Sequence, residues 1–234
     1  MIEMKNKKIL ILHSSNDLYG ASKIFLHIIE LLKSNGYQIH IVLPAEGPLD
    51  MMISQIRVAQ VSYYSLGVLR KKYLNPLGLI NRLIVNVKAM KFLSNYIKDY
   101  SIDLVYTNTS TILCGGIAAK KNGIPSLFHI HEIPTGNKLY EFLSGKIINR
   151  ISSKVLTVSN SVKQQWIKYI DNKKIDRIYN GIIFSKTDSF IKQERDQDDF
   201  VITSVARLIP YKGHKYLIDI ADELIKKSIK FKFL

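Results

Sequence analysis

Short apolar runs alternate along this chain with longer stretches in which apolar positions recur every three or four residues. The runs Lys8 to His13, Gln38 to Leu43, Gln60 to Leu66, Asp103 to Asn108, Ser126 to His131 and Lys154 to Val158 have strand length. Several are apolar almost without a break, as a strand must be when helices cover both faces of a parallel sheet. Ser22 to Ser34 sets Ile24, Leu26, Ile28, Ile29, Leu31 and Leu32 at helical spacing, and Gly36 follows where a left-handed terminator is wanted. Asn122-Gly123-Ile124-Pro125 closes another helix in the same way. From Ile80 to Ile97, the residues Ile80, Leu83, Ile84, Val87, Met90 and Ile97 keep helical spacing while Lys88, Lys91, Asn95 and Lys98 take another face. The pattern there predicts an amphipathic core helix with a wet basic face. The alternation as a whole predicts a doubly wound α/β fold, whose ligands sit outside the carboxyl ends of the strands.

One break interrupts this pattern. Ser185 to Asp199 is polar and dense in charge, the signature of a linker. Residues 1–184 then form one domain, 185–199 the linker, and 200–234 the beginning of a second. That last segment predicts a strand from Phe200 to Val205, a helix from Gly213 to Lys227 and the opening of another strand from Ile229 to Leu234. A second α/β domain needs roughly 100 residues for its own core. The expectation is therefore an N-terminal domain joined to a truncated one, with Val201, Ile202, Leu217, Ile218, Ile220 and Leu224 poorly covered.

Composition narrows the class. The single cysteine, Cys114, excludes an intrachain disulfide and fits a reducing compartment; its apolar surroundings predict a buried thiol. After the basic start, only Ile9 to Leu12 run unbroken, too short for a signal peptide, and no run approaches the ~18 apolar residues of a membrane span. A cytoplasmic protein is expected. The net charge is +15, and no acid occurs between Asp50 and Asp99, where Arg57, Arg70, Lys71, Lys72, Arg82, Lys88, Lys91 and Lys98 all fall. Such a patch calls for an anionic partner. With no helix-turn-helix, zinc-finger or RNA-binding aromatic motif, nucleic acid would rest on charge alone. An anionic membrane surface attracts each Lys or Arg by about 1 kcal/mol, so peripheral docking through Arg70, Lys71, Lys72, Lys88 and Lys91 is the expectation.

Candidate chemistry lies at strand ends and helix starts. Arg207 and Lys212 stand five residues apart, between a predicted strand and helix; two cations there could clamp a diphosphate, or be ordinary surface charges. His131 ends a predicted strand and Glu132 follows; a strand-end histidine alone is more often a hydrogen-bonded structural residue. His129 and His131 share a strand face at a possible metal spacing, but no Cys or third His is near in sequence, and no metal is expected. Asp196-Gln197-Asp198 lies in the charged linker and reads as solvated charge. The loop before the first helix holds Gly20 but lacks the three glycines of a dinucleotide fingerprint, which disfavours a nicotinamide enzyme.

The run Val205-Ala206-Arg207-Leu208-Ile209-Pro210-Tyr211-Lys212-Gly213 resembles the signature that opens the C-terminal domain of retaining glycosyltransferases of family four, which have the two-domain GT-B fold. Other segments match in the same order. Ile9 to His13 with Tyr19-Gly20-Ala21-Ser22 is similar to the family's first strand and glycine loop. His129-Ile130-His131-Glu132 is similar to its histidine-acid turn, Val158 to Val162 to its Val-Ser segment, and Tyr179-Asn180-Gly181-Ile182 to its Asn-Gly segment. The resemblance implies a GT-B protein whose N-terminal domain is acceptor-side, with a fragment of the nucleotide-sugar domain. It implies transfer of a sugar from a nucleotide diphosphate sugar to a glycan or lipid-linked acceptor, without metal or cofactor and with retention of configuration. His131 would contact the donor near its anomeric centre. Arg207, Lys212 and Gly20 would serve the diphosphate, and Ala21, Glu132, Asn180 and Gly181 are further candidate contacts. Tyr19 stands where the family often has another glycine and would narrow that loop. The family's acidic motif would lie beyond Leu234, so a fold-retaining binding domain without transfer activity is the alternative.

Overall fold

The computed structural model describes residues 6–69, 73, 75–133, 138–181 and 200–233. The chain divides into two units, 1–182 and 183–234, taken separately below. The expected linker 185–199 and the cations Arg70, Lys71 and Lys72 lie outside the described residues.

The first unit is a seven-stranded sheet, parallel at every pairing, with strands β1 (Lys8–Leu12), β2 (Gln38–Leu43), β3 (Gln60–Tyr63), β4 (Leu104–Thr107), β5 (Ser126–Ile130), β6 (Lys154–Thr157) and β7 (Ile175–Arg177). Their order is β3-β2-β1-β4-β5-β6-β7. The chain winds outward from β1 in one direction and, after crossing back, from β4 in the other. The crevice between β1 and β4 is thus the topological switch point of the sheet.

Helices α1 (Gly20–Ser34), α2 (Leu49–Ile56), α3 (Pro76–Asp99), α4 (Cys114–Lys121), α5 (Lys138–Ile151) and α6 (Asn160–Trp166) cover the faces. The strands' unbroken apolar runs are explained by this double cover. Ile9 and Ile11 of β1 point into a core shared with Phe25, Ile29 and Ile53 of α1 and α2, while Leu10 and Leu12 point into another with Leu93 and Ala118 of α3 and α4. A third cluster gathers Phe128 and Val155 of the sheet with Ile148 of α5 and Trp166 of α6. Gly36 and Gly123 take the left-handed conformation, φ 86° and 69°, that ends α1 and α4. Cys114 is buried, its Sγ donating to Leu66 O at 3.3 Å, and burial pushes its thiol up to about 12.

Helix α3 departs from the amphipathic expectation. Only its second half is a core helix, with Ala89, Leu93, Tyr96 and Ile97 buried; Ile80, Leu83, Ile84 and Val87 are all more than half exposed. At 1.5 Å per residue a helix of 24 residues is about 36 Å long, far longer than strands of three to six residues, and its first half outruns the sheet.

The second unit holds β8 (Val201–Ile202), paired in parallel with β9 (Lys232–Phe233), and the helix α7 (His214–Lys226). The strand expected from Phe200 to Val205 is confined to two residues, because Thr203 to Leu208 leave the ladder and are exposed. No described side chain of α7 is buried.

Candidate active site

Three strands deliver the polar residues of the switch point. Past the carboxyl end of β1 comes His13, past β4 comes Asn108, and past β5 come His131 and Glu132. Backbone bonds fix these exits: Asn108 N donates to Leu12 O at 2.9 Å, and His13 N donates to Val42 O at 3.4 Å.

The side chains then form one directed series. The amide oxygen of Asn108 can only accept, so His131 Nε2 donates to it at 2.9 Å. The amide nitrogen of Asn108 donates to His13 Nδ1 at 3.2 Å. His13 carries its proton on Nε2 in consequence and donates to Ser22 Oγ at 3.2 Å; Ser22 Oγ donates to Asp17 Oδ1 at 2.8 Å. Every donor points away from His131 and the series ends on a carboxylate. His13 is also stacked on Phe25, ring centroids 4.5 Å apart.

Electrostatics keep the series in that state. Burial lowers His13 to about 4, with the nearby His131 adding to the effect and Asp17 opposing it. His131 is lowered too, chiefly by burial and against the pull of Glu132. Both rings are neutral near pH 7, which leaves Nδ1 as the acceptor atom of His131. Burial alone would raise Asp17, but bonds from Ser22, the Tyr19 N–H and Ser15 outweigh it and hold the carboxyl below its ordinary range.

Glu132 does different work. Its Oε1 accepts from Thr109 Oγ1, Ser110 N and Ser110 Oγ, each at 2.7 Å, and its backbone oxygen accepts from Trp166 Nε1 at 3.2 Å. The carboxylate pins the loop after β4 to the end of β5. It also borders the cleft beside His131.

His13, Ala21, Asn108, Thr111 and His131 line a cleft of about 250 Å³ at the switch point. Gly20 opens α1 beside it, and a Cβ built there would meet nothing within 4 Å, so no internal packing demands a glycine. Tyr19, expected to narrow the loop, is more than half exposed. A second cleft of about 310 Å³ shares Ser14, Ser15 and Val68 with the first and extends to Tyr73 and Arg82, whose guanidinium lies 4.1 Å over the tyrosine ring. Asn180 and Gly181 follow the edge strand β7, are exposed and line neither of these two clefts.

His129 faces His131 with ring centroids 4.3 Å apart, but it is held by Tyr106 at 2.7 Å, and burial drives it down to about 3. Among the described residues no three His, Cys, Asp or Glu side chains gather as a metal site. Arg207 and Lys212 stand on the second unit, both exposed. A 3-10 turn, Pro210–Lys212, and Gly213 at φ 78° lead from them into α7, and Arg207 O accepts from His214 Nε2 at 2.7 Å.

Sequence reasoning found His131 but passed over Asn108, Asp17, Ser22 and His13 as site residues. The signal was available for two of them: His13 and Asn108 are polar residues ending the two central strands of the winding.

The chain resembles solved structures over nearly its full length. HepE of Anabaena, in a structure with UDP and glucose, is 19% identical, with 98% of this chain and 69% of that one covered and a TM-score of 0.62. A glycosyltransferase of Rickettsia africae is 20% identical, with 97% and 59% covered and a TM-score of 0.67. At these identities the likeness shows the fold, the GT-B type with the first unit as its N-terminal Rossmann-like domain. The Escherichia coli UDP-Gal:alpha-D-GlcNAc-diphosphoundecaprenol alpha-1,3-galactosyltransferase is 26% identical over 235 residues, 91% of this chain. This chain spans 56% of the length of that curated relative. The family model of Glycosyltransferase Family 4 matches residues 19–186, more than half of the sequence. The chain belongs to glycosyltransferase family 4.

Proposed function

We propose that this chain acts in transferring a sugar from a nucleotide diphosphate sugar to a hydroxyl of a lipid-linked glycan, in the synthesis of a bacterial surface polysaccharide. The observation that carries the reading is the switch-point cleft, where a neutral His131, oriented by Asn108, presents Nδ1 as an acceptor suited to a sugar hydroxyl. The donor and the diphosphoundecaprenol acceptor in the name of the E. coli relative support it.

In this reading Gly20 leaves room for the donor's diphosphate, Ala21 lines its path, and Arg207 and Lys212 neutralise the charge that develops on it as it leaves. The bond from the anomeric carbon to the diphosphate oxygen breaks while the acceptor oxygen bonds to the same face. The proton of the acceptor hydroxyl passes to the departing diphosphate. Configuration is retained, with neither a protein nucleophile nor a metal. The basic surface that includes Lys88 and Lys91, both exposed, would hold the protein against the anionic cytoplasmic leaflet, where a lipid-linked acceptor resides.

Radiolabelled sugar transfer to a diphosphopolyprenol acceptor tests the reading. The Arg207→Ala and Lys212→Ala variants should each lose on the order of 10²-fold in kcat/KM. Saturable nucleotide-sugar binding without turnover in any preparation would leave a binding domain instead, and wild-type turnover in both variants would remove the two cations from the site.

A further inference from the structure

The first half of α3 turns its apolar side outward. Leu77, Ile80, Leu83, Ile84 and Val87 are 80%, 57%, 66%, 51% and 53% exposed and lie at the three- and four-residue spacings of one helical stripe. Arg82 is the one charged residue from Pro76 to Val87, and it turns away from the stripe, over Tyr73 and into the second cleft. Beyond Val87 the polarity of the outer side changes: Lys88, Lys91 and Lys98 are exposed there, and the buried face belongs to Ala89, Leu93 and Ile97. A contiguous apolar patch rimmed by charge of one sign marks an interaction surface.

We infer that this half-helix is an interfacial anchor, lying in the plane of an anionic bilayer with Leu77, Ile80, Leu83, Ile84 and Val87 in the acyl boundary and Lys88 and Lys91 among the headgroups. Charge decides the occupant. With no acid between Asp50 and Asp99, a second copy of this face would bring cation against cation, whereas anionic lipid answers both halves of the pattern. No helix among the described residues is long and apolar enough to cross a membrane, so this one lies along the surface. Docking in this way sets the Arg82 end of the second cleft beside the bilayer, on the side from which a lipid-linked acceptor would come. The inference rests on the anionic surface proposed above as partner and adds that the apolar stripe, more than the charge, holds the protein there.

Vesicle flotation separates the two contributions. Exposed charges are screened to about 3 Å at ~1 M salt, so attraction by charge alone is lost there, while insertion survives. The wild-type chain should float with vesicles of equal phosphatidylglycerol and phosphatidylcholine and keep much of that binding at ~1 M salt. The double variant Leu83→Gln, Ile84→Gln should bind on the order of 10-fold more weakly at both salt concentrations with an unchanged melting temperature, since both side chains are exposed. Lys88→Gln with Lys91→Gln should weaken binding at low salt only. A dye on Leu83→Cys, selective because Cys114 is buried, should report an apolar environment on vesicle addition, and one on Asn95→Cys should not. Binding abolished by ~1 M salt and untouched by the Leu83/Ile84 variant would overturn the anchor while leaving charge-based docking intact. Failure to bind these vesicles at either salt concentration would end both, and self-association abolished by the same variant would assign the stripe to a second copy instead.

Discussion

His131 donates from Nε2 to Oδ1 of Asn108 at 2.9 Å, across 23 positions of sequence, and so fixes which of its ring nitrogens faces the cleft. Because Asn108 is itself held by His13, the orientation of the His131 ring is set two residues deep in the switch point.

Asn108→Ala should therefore act in two ways. It leaves His13 Nδ1 buried without a donor, which costs about 1–3 kcal/mol of stability, and it frees His131 to rotate. Thermal melts should show the loss of stability, and kcat/KM should fall by on the order of 10-fold or more. Unchanged kinetics in a folded variant would contradict the positioning role.

His131 and Glu132 are adjacent in sequence and should respond oppositely. His131→Ala should impair transfer by on the order of 10²-fold with stability within about 1 kcal/mol of wild type. Glu132→Ala strips Thr109 and Ser110 of the oxygen that accepts three bonds, and should cost about 2–4 kcal/mol. Paired denaturation and activity measurements check this, and a stable, inactive Glu132→Ala would make that residue chiefly a ligand contact.

Acid should destabilise the fold through its buried histidines. Unfolded, each takes a proton near 6.5; folded, His13 does so only at about 4 and His129 at about 3, both through burial. Between those values the unfolded chain binds more protons, so stability is complete above about pH 6.5 and falls as the pH drops towards 4. The contribution of His13 is up to about 3 kcal/mol. Melting temperature against pH should show this slope, flattened in His13→Gln. A wild-type profile level down to ~pH 4.5 would contradict it.

The sheet was legible because its chemistry is local. Ile9 to Leu12 or Ile39 to Leu43 can be nothing but doubly covered strands once helical stretches flank them. Strand β7 was not, since Ile175-Asp176-Arg177 buries one side chain and takes its place from Val155 to Thr157 beside it. The stripe of α3 shows the limit of periodicity. Spacing marks Ile80, Leu83, Ile84 and Val87 as one side of a helix, but whether that side meets a core depends on how far the sheet extends. His131 was legible from its strand-end place and its resemblance. Asn108 and His13, 95 positions apart, become neighbours only through the winding that sets β1 beside β4.

Hydrogen exchange of the chain with and without a saturating nucleotide diphosphate sugar tests the central claim, that the β1–β4 switch point is the sugar-nucleotide site. Slowed exchange of the amides from His13 to Ser22, from Asn108 to Thr111 and at His131 and Glu132 is the predicted result, diminished in His131→Ala. Slowed exchange confined to residues away from these three segments, with the switch point unchanged, would contradict the account.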